Sequence, residues 1–424
     1  MRRRVNILLD RTIDPKFVPD AFIQAWGHND EFSEKFLPLN GPWEDCYYDY
    51  HAPLYKVLEE NGYQVNIKTQ KEMLQSTERF VYVLTFRLLT GTVFKEIGYN
   101  FFKQISHGTI EAINSGKVCL VINDAHESSI YDANFSILLN QLIDEVHLNR
   151  QHIILLTSNF ANREFSRNSL VTFFIWEFFE TSMRIKNQNV ARDSRGYFEE
   201  KSMKRFLCLN RIPREHRYFF MFEMYKRNLL KFFNCSLKNI DSLEEIQSHG
   251  GHAMINEIKD APLFQKMIQE LPFVYDTDVF QYNHWSKIDD RFNQDNGIFI
   301  VSETLFLDGT NNLFLTEKTF KPICLSMPFI ILGSPHALRQ LHSHGYMTFH
   351  SLWDESYDEE MNPSLRMEKI VNLVQFLADL PEIEFNLIYK KSMIIAEHNF
   401  RLMKSRRPES EVVSHLIANY SNEV

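Results

Sequence analysis

Short apolar segments rich in β-branched and aromatic residues recur along this chain, and stretches of helical length separate them. Segments that are apolar on both faces are typical of parallel strands that helices cover on both sides. The first series is VNILL at residue 5, YQVNI at 63, FVYVLTF at 80, VCLVIN at 118, IILLTS at 153 and VTFFIW at 171. The second series is FLCLN at 206, FVYD at 273, GIFIVS at 297, FIILG at 329 and MTFH at 347. The pattern predicts an α/β fold with two successive doubly wound sheets.

The length of the chain supports two domains, because 424 residues exceed the size at which a single core continues to grow. The polar stretch between Met183 and Lys204 has no sustained periodicity and is typical of a linker, so we place the boundary near Arg195. The predicted parts are an N-terminal domain at 1–195, a C-terminal domain at 196–380 and C-terminal helices at 381–424. Ligands in such sheets bind beyond the carboxyl ends of the strands, which predicts a cleft between two Rossmann-like domains.

The charge balance disfavours a nucleic-acid-binding protein. A net charge of −9, from 46 basic and 55 acidic side chains, provides no long-range attraction for a polyanion. Two basic groups, Arg2 to Arg4 and Lys404 with Arg406 and Arg407, are interpreted as solvated ends of the chain.

Cysteine usage and hydropathy predict a cytoplasmic protein. The five cysteines are odd in number, widely spaced and without a CxxC pair, which disfavours a disulfide framework and a zinc site. We interpret them as buried free thiols in a reducing compartment. The apolar stretch VNILL near the start is too short for a signal peptide, and no later segment is long enough to span a membrane.

The segment LFLTEKTFK, at residues 313–321, combines a strand end with the start of a helix. Thr316 occupies an N-cap position, and Glu317 and Lys318 follow in the first turn. A helix N-terminus with free N–H groups binds anions, and Lys318 and Lys321 lie on one helical face, so both lysines can point toward a diphosphate. Alternatively, Thr316 and Glu317 only cap an ordinary helix whose lysines are solvated.

The order SETLF, polar loop, LTEK, helix, PFIILG and GYMTF over residues 301–350 resembles the alpha-1,3-fucosyltransferase-like family of GT-B glycosyltransferases. In that family the glutamate of TEK meets the ribose of the nucleotide, and the lysine meets the diphosphate. The resemblance assigns these roles to Glu317 and Lys318 and places Glu303 near the donor pocket. It departs from the family at Thr304, where the family usually has asparagine.

A second block, FLCLNRIPREHRYFFMFEMY, runs from an apolar strand through a polar turn into a helix. The resemblance implies that the arginine opening this helix, Arg217, contacts the diphosphate, with Arg211 and Arg214 as close alternatives. Guanidinium groups suit phosphate oxygens and keep their charge. Alternatively, the arginines only solvate the start of the helix, but cations are unfavourable at helix N-termini unless an anion is bound.

The block VCLVINDAHESSI ends a buried strand of the first domain in a cluster of polar side chains. Carboxylates at the carboxyl end of a strand suit general-base chemistry. The ES pair resembles the ESP motif of the family, with Ser129 in place of proline, and this predicts Glu127 as the catalytic base. Asp124 and His126 are alternatives, and a turn that satisfies its own backbone is another interpretation.

Two further motifs suggest metals but are interpreted otherwise. DTD, at Asp276 to Asp278, follows an apolar run as a metal-binding DxD does, yet it lies in the second half of a two-sheet chain. SHGGH, which ends at His252, has two histidines without a third ligand and is typical of a glycine-rich loop. We therefore expect no metal site.

The residues and the resemblance together predict an inverting, metal-independent glycosyltransferase. Its expected co-substrate is a nucleotide diphosphate sugar, with a GDP-sugar favoured; the transferred group is a hexosyl, fucosyl or pentosyl unit, and no cofactor is needed. The expected acceptor is a glycan or small-molecule hydroxyl. The N-terminal domain at 1–195 is then the acceptor side, and the C-terminal domain at 196–380 holds the donor. Two alternatives remain: a transferase acting on a hydroxylated base in DNA, and a non-catalytic nucleotide-sugar-binding or interaction module.

Overall fold

The computed structural model describes residues 3–9, 54–85, 105–123, 135–158, 171–187, 203–247, 252–276, 288–289, 291–306 and 313–423. The chain divides into two units. Met1–Thr181 and Arg407–Val424 form the first unit, and Ser182–Arg406 forms the second. Each unit is built around a parallel sheet, so the predicted α/β class with doubly wound sheets is confirmed.

The sheet of the first unit contains every apolar segment predicted for the first half of the chain. Its strands are β1 (Arg3–Leu9), β2 (Gln64–Thr69), β3 (Phe80–Thr85), β4 (Val118–Asn123), β5 (Ile153–Thr157), β6 (Thr172–Ile175) and β11 (Asn422–Glu423). The order is β11-β1-β3-β4-β5-β6, with β2 also paired to β1. All pairs are parallel except β1 with β11.

Helices of the first unit pack against these strands. They are α1 (Gln70–Gln75), α2 (His107–Asn114), α3 (Phe135–Glu145), the start of α4 (Phe178–Lys186) and α13 (Ser410–Tyr420), with a 3-10 turn at Arg150–His152. Every residue of β4 and β5 is buried. Burial on both faces explains why these strands are continuously apolar in sequence.

The sheet of the second unit is fully parallel. It contains β7 (Lys204–Asn210), β8 (Phe233–Leu237), β9 (Asn296–Ser302) and β10 (Phe329–Leu332) in the order β10-β9-β7-β8. The chain moves outward from β7 to β8 and then returns to the other side of β7 for β9 and β10. The strand order therefore reverses between β7 and β9, which is where doubly wound sheets bind ligands.

Helices surround this second sheet. They are α5 (Glu215–Lys226), α6 (Ala253–Ile258), α7 (Pro262–Gln269), α8 (Arg291–Gln294), α9 (Glu317–Cys324), α10 (Ala337–Ser343), α11 (Pro363–Asp379) and α12 (Glu382–Ser405), with 3-10 turns at Leu230–Phe232, Leu243–Glu245 and Ser356–Glu359. Helix α9 contacts both β9 and α12. This places the TEK segment directly beside the central strands.

Two predicted strands of the second series are wrong. FVYD makes only one antiparallel bridge, between Phe273 and Leu237, and MTFH forms no strand. Strand β8, which the pattern did not predict, pairs with β7, and its sequence FNCSL is only partly buried. Apolar and polar residues alternate in β8, and this short alternating pattern predicts a strand less strongly than a continuous apolar run does.

The division into units also differs from the predicted domains. The first unit ends at Thr181 rather than near Arg195, and residues from Arg407 onward return to it. The C-terminal segment returns because β11 pairs with the start of β1 and Asn422 bonds to the main chain of Arg79. Of the helices predicted to close the chain, α12 belongs to the second unit and α13 to the first.

Candidate functional site

The carboxyl edge of the second sheet gathers the residues that the sequence placed in the donor site. Strand β7 ends at Asn210, β9 at Ser302 and β10 at Leu332, and the register pairs Ser302 with Leu332. Glu303 follows β9 directly, and the first turn of α9 contacts its carboxylate. The segments at 206–225 and 301–333 thus meet at the point where the strand order reverses.

Glu303 is a buried carboxylate that caps α9. Its Oε1 accepts hydrogen bonds from the Thr316 main-chain N–H at 3.0 Å and the Thr319 hydroxyl at 2.6 Å. Its Oε2 accepts from the Thr316 hydroxyl at 2.7 Å and the Thr304 N–H at 3.0 Å. The side chain is 2% exposed. Four donors satisfy the carboxylate, and its negative charge lies at the positive end of the helix.

This capping changes the expected role of the helix N-terminus. The Thr316 N–H donates to Glu303, the Lys318 N–H to the Thr316 hydroxyl at 3.3 Å, and the Thr319 N–H to the Thr316 carbonyl at 3.1 Å. The sequence predicts free N–H groups here that can bind an anion. Because these three groups bond within the chain, they are not free N–H groups, and the positive charge at this edge is that of side chains.

Glu317, Lys318 and Lys321 form a charged group on the first turns of α9. The Lys318 ammonium donates to Glu317 at 2.7 Å and to the hydroxyls of Thr304 and Thr316, both at 3.2 Å. Burial raises the pKa of Glu317, but the charges of Lys318 and Lys321 outweigh it, so the net shift is downward and the carboxylate stays ionised. Lys321 is half-buried and has no hydrogen bond or ion pair within the described part of the chain.

Arg217 lies inside the protein, where main-chain carbonyls hold its guanidinium. The guanidinium donates to the main-chain carbonyl oxygens of Ile212 at 3.0 Å, Ser302 at 3.1 Å and Glu303 at 3.2 Å. The residue is 3% exposed. Burial, followed by the charge of Arg214, lowers its pKa to about 10, so it remains charged at neutral pH. Arg217 therefore joins the turn after β7 to the end of β9, and its carbonyl partners compensate the cation.

Arg211 and Arg214, the alternatives to Arg217, lie on the same turn with different surroundings. Arg214 is the N-cap residue of α5, and its main chain forms an isolated β-bridge with that of Gln247. Arg211 forms an ion pair with Asp276 at 3.2 Å, and 36% of its side chain is exposed. Arg211 thus combines an ion-pair partner with access to solvent.

Three further residues of this edge were missed by the sequence analysis. His216 Nε2 lies 3.0 Å from the Glu303 carbonyl, and its ring stacks on Phe306 with centroids 5.4 Å apart. Gly333 directly follows β10 and lies so close to Glu303 that a Cβ there would be 3.2 Å from the Glu303 Cβ. The glycine in PFIILG was visible in sequence, but its reason, a close approach to Glu303, depends on the fold.

The predicted catalytic base, Glu127, and its alternatives Asp124 and His126 lie outside the described residues. Asn123, at the end of β4, is fully buried. Glu127 as the base stays a prediction.

The two metal-like motifs are only partly described. Of DTD, Asp276 is described and binds Arg211 and the Ser236 hydroxyl. Of SHGGH, His252 is described and is exposed. Neither residue belongs to a group of three potential metal ligands among the described parts of the chain.

Within the described part of the second unit, three potential ligands do meet at the start of α10. They are His336, Asp358 and Glu359. Asp358 accepts the N–H groups of Leu338 and Arg339 at 2.9 and 3.0 Å, so this carboxylate caps α10.

Four cysteines are described, and all are free thiols. They are Cys119, Cys208, Cys235 and Cys324. Among the described helices, none is both long and apolar enough to cross a membrane.

Comparison with known proteins finds a distant structural similarity. No family model matches the sequence, and no curated protein matches it. A solved structure that the fold resembles is α,α-trehalose 6-phosphate synthase from Burkholderia multivorans, with a TM-score of 0.38, 8% identity and 99% of each chain covered.

Proposed function

We propose that this chain is a glycosyltransferase that takes its sugar from a nucleotide diphosphate sugar. The observation that carries the proposal is the charged group Glu317, Lys318 and Lys321, which lies on α9 at the carboxyl edge of a parallel sheet whose order reverses there. A diphosphate suits the two lysines, and an ionised Glu317 suits the hydroxyl groups of a ribose.

The site has the electrostatics for departure of a diphosphate. As the bond between the anomeric carbon and the phosphate oxygen breaks, negative charge accumulates on the leaving group, and fixed cations stabilise it. Lys318 is held by three hydrogen bonds, so its position is set before the donor arrives. The lysines of α9 neutralise the negative charge of the leaving diphosphate, as a metal ion does in metal-dependent enzymes. This supports metal-independent transfer.

The proposed reaction inverts the anomeric centre. The acceptor hydroxyl attacks from the face opposite the diphosphate, its oxygen forms the new bond to the anomeric carbon, and Glu127 takes its proton. The proposed donor is a GDP-sugar, and the proposed acceptor is a hydroxyl of a glycan or small molecule. Free thiols at all four described cysteines fit a cytoplasmic enzyme.

A thermal-shift panel of GDP, UDP, ADP and their sugar conjugates tests donor binding. A ligand that binds only the folded state raises the melting temperature by mass action, so at least one diphosphate should stabilise the wild type. Lys318→Ala should weaken that ligand about 10- to 100-fold, since a charged hydrogen bond contributes about 1.5–3 kcal/mol. Lys390→Ala, an exposed lysine of α12, is the matched control and should bind as wild type does. Failure of every diphosphate to bind would refute the proposal.

Transfer assays then separate the reaction from binding. Glu127→Gln should keep donor binding and lose transfer, whereas retained transfer would assign the base elsewhere. Transfer to DNA containing hydroxylated bases, with a strongly salt-dependent DNA affinity, would favour the DNA alternative. Donor binding with neither transfer nor hydrolysis would make the chain a binding module.

A further inference from the structure

Three large apolar side chains form a row on the outer face of α12, and we call this row the outer stripe. Ile383, Leu387 and Ile394 occupy positions i, i+4 and i+11 of the helix, so they lie on one face. Their exposed fractions are 84%, 55% and 73%. Ile383 and Ile394 are the most exposed large apolar residues in the part of the chain that the structure describes. A single exposed apolar side chain is ordinary, but an aligned row of them indicates a contact surface.

The opposite face of α12 is fixed to the second unit. Phe385 and Tyr389 are 6% and 3% exposed, and the Phe385 ring meets that of Phe206 in β7 with centroids 6.4 Å apart. The Arg205 guanidinium lies 4.7 Å from the Phe385 centroid and donates to three carbonyls at the end of α11. The outer stripe is therefore carried by a helix whose position is set by its buried side.

The charges beside the outer stripe differ in sign along the helix. Between residues 382 and 394 the two exposed glutamates come first and the two exposed lysines follow, so the charges of this segment balance. A surface that binds anionic lipid carries an excess of lysine and arginine, which this segment does not have. Glu384 and Lys391 lie seven residues apart and therefore on the same flank of the stripe.

This arrangement is complementary to a second copy of itself. When two α12 helices pack antiparallel about a two-fold axis midway between Ile383 and Ile394, each isoleucine lies opposite the other one in the second copy. The two Leu387 side chains then flank the axis. Helices packed in this way bring the same flank of each copy together, so Glu384 of one copy lies beside Lys391 of the other, twice.

We propose that the outer stripe of α12 is the contact of a homodimer, in which two antiparallel helices bury Ile383, Leu387 and Ile394 between two symmetric Glu384–Lys391 ion pairs. The contact goes beyond the proposed function and does not depend on it. Residues 383–394 span about 17 Å of helix. A contact of this length is small beside the roughly 800 Å² per partner of a standard interface, so dimerisation is expected to depend on concentration.

Sedimentation velocity at increasing protein concentration tests the proposal. The wild type should pass from monomer to dimer. Leu387→Asp should raise the dissociation constant of the dimer about 100-fold or more, because a symmetric contact carries each substitution twice. Leu74→Asp is the matched control, since Leu74 is 53% exposed on α1 of the other unit, and it should dimerise as the wild type does. Melting temperatures verify that each variant is folded.

Two results of this experiment would overturn the proposal. The first is a wild type that stays monomeric at every concentration. The second is a Leu387→Asp protein that dimerises as strongly as the wild type.

Exchange of the flanking charges tests the antiparallel arrangement. Glu384→Lys and Lys391→Glu each place like charges opposite each other at both ends of the contact, so each variant alone should dimerise about 10-fold more weakly at low salt. In an equimolar mixture each variant supplies the charge that the other needs, and a mixed dimer should form with the affinity of the wild type. A mixture that associates no better than its components would show that the helices do not pair in this way.

Vesicles that contain phosphatidylserine test the other kind of surface that an exposed apolar helix can bind. The wild type should not sediment with them. Sedimentation that Leu387→Asp abolishes, in a protein that does not self-associate, would assign the outer stripe to a lipid surface and overturn the dimer. Binding of nucleoside diphosphates is measured separately, so failure of either proposal leaves the other to its own experiment.

Discussion

The carboxylate of Glu303 bonds to both the main chain and the hydroxyl of Thr316, at 3.0 and 2.7 Å, and so joins the end of β9 to the start of α9. The two residues are far enough apart in sequence that only the fold brings them together. This contact fixes the helix that carries Glu317, Lys318 and Lys321 relative to the sheet. The position of the proposed donor lysines therefore depends on a residue that does not itself need to touch the donor.

Replacing Glu303 by glutamine should lower the free energy of unfolding. The amide group offers donors where Thr316 and Thr319 also donate, so at least one buried donor loses its acceptor, at a cost of about 2–4 kcal/mol. Urea unfolding measures the change. Glu257→Gln, on an exposed position of α6, is the control and should change stability by less than about 0.5 kcal/mol. A Glu303→Gln protein as stable as wild type would show that the cap has no net effect on stability.

Arg217→Lys should also be strongly destabilising. The single ammonium group of lysine cannot replace a guanidinium that donates to the carbonyls of Ile212, Ser302 and Glu303. We therefore expect the free energy of unfolding to fall by about 2–4 kcal/mol. Arg339→Lys, where the side chain is 62% exposed, should be nearly neutral. If Arg217 acts only on phosphate, its substitution will reduce ligand affinity and leave stability unchanged, contrary to this expectation.

Gly333→Ala should be destabilising because its new methyl group meets fixed neighbours. The added Cβ would lie 3.1 Å from Ile331 Cγ2 and 3.2 Å from the Glu303 Cβ, and Glu303 is held by four hydrogen bonds. Overpacking of this kind costs about 1–3 kcal/mol. Equilibrium unfolding in urea measures the difference.

Gly108→Ala is the matched control for Gly333. Its Cβ would meet the flexible end of Leu74, which is 53% exposed and can move. Because Gly108 lies in α2, alanine should be neutral or stabilising by up to about 1 kcal/mol. Equal destabilisation of both variants would contradict the special role of Gly333.

Glu355 should make stability fall as the pH rises through the neutral range. Burial, reinforced by the charge of Asp358, raises its pKa to about 7, although hydrogen bonds such as that from the Phe349 N–H act in the opposite direction. The folded protein therefore binds a proton that the unfolded chain, with a pKa near 4.5, has already released. Stability from this group is greatest below pH 4.5 and is lost as the pH approaches and passes 7.

Urea unfolding between pH 5 and 8 measures this effect. Glu355→Gln carries no titrating carboxyl, so its stability should decline less over that interval than that of the wild type. Identical pH dependences for the two proteins would show that Glu355 does not titrate as described.

Cys208 should resist alkylation in the native protein. Burial raises the pKa of its thiol to about 11, despite hydrogen bonds with Ser302 and Asn210, and the residue has no exposed surface. Cys119 is similar, with a pKa raised to about 12 by burial. Iodoacetamide at pH 8, followed by mass spectrometry, should label neither thiol until denaturant is added. Rapid native labelling of Cys208 would contradict its burial beneath the site.

Sequence alone determined the fold class because the signals for it are local. Strands buried on both faces, such as β4 and β9, appear as continuous apolar runs, and the Thr316 cap of α9 is visible in consecutive residues. The residues Glu303, Thr316, Glu317, Lys318 and Lys321 were all placed at one site from sequence, and the structure brings them together.

Only the tertiary structure decided how these residues are used. Hydrogen bonding between distant segments makes Glu303 a helix cap, turns Arg217 inward onto carbonyls and pairs Arg211 with Asp276. Long-range pairing also added β8, which the pattern did not predict, to the sheet beside β7 and returned the C-terminal residues to β1. Periodicity reports which side of a segment is buried, but the partner that buries it or satisfies its charge is a property of the folded chain.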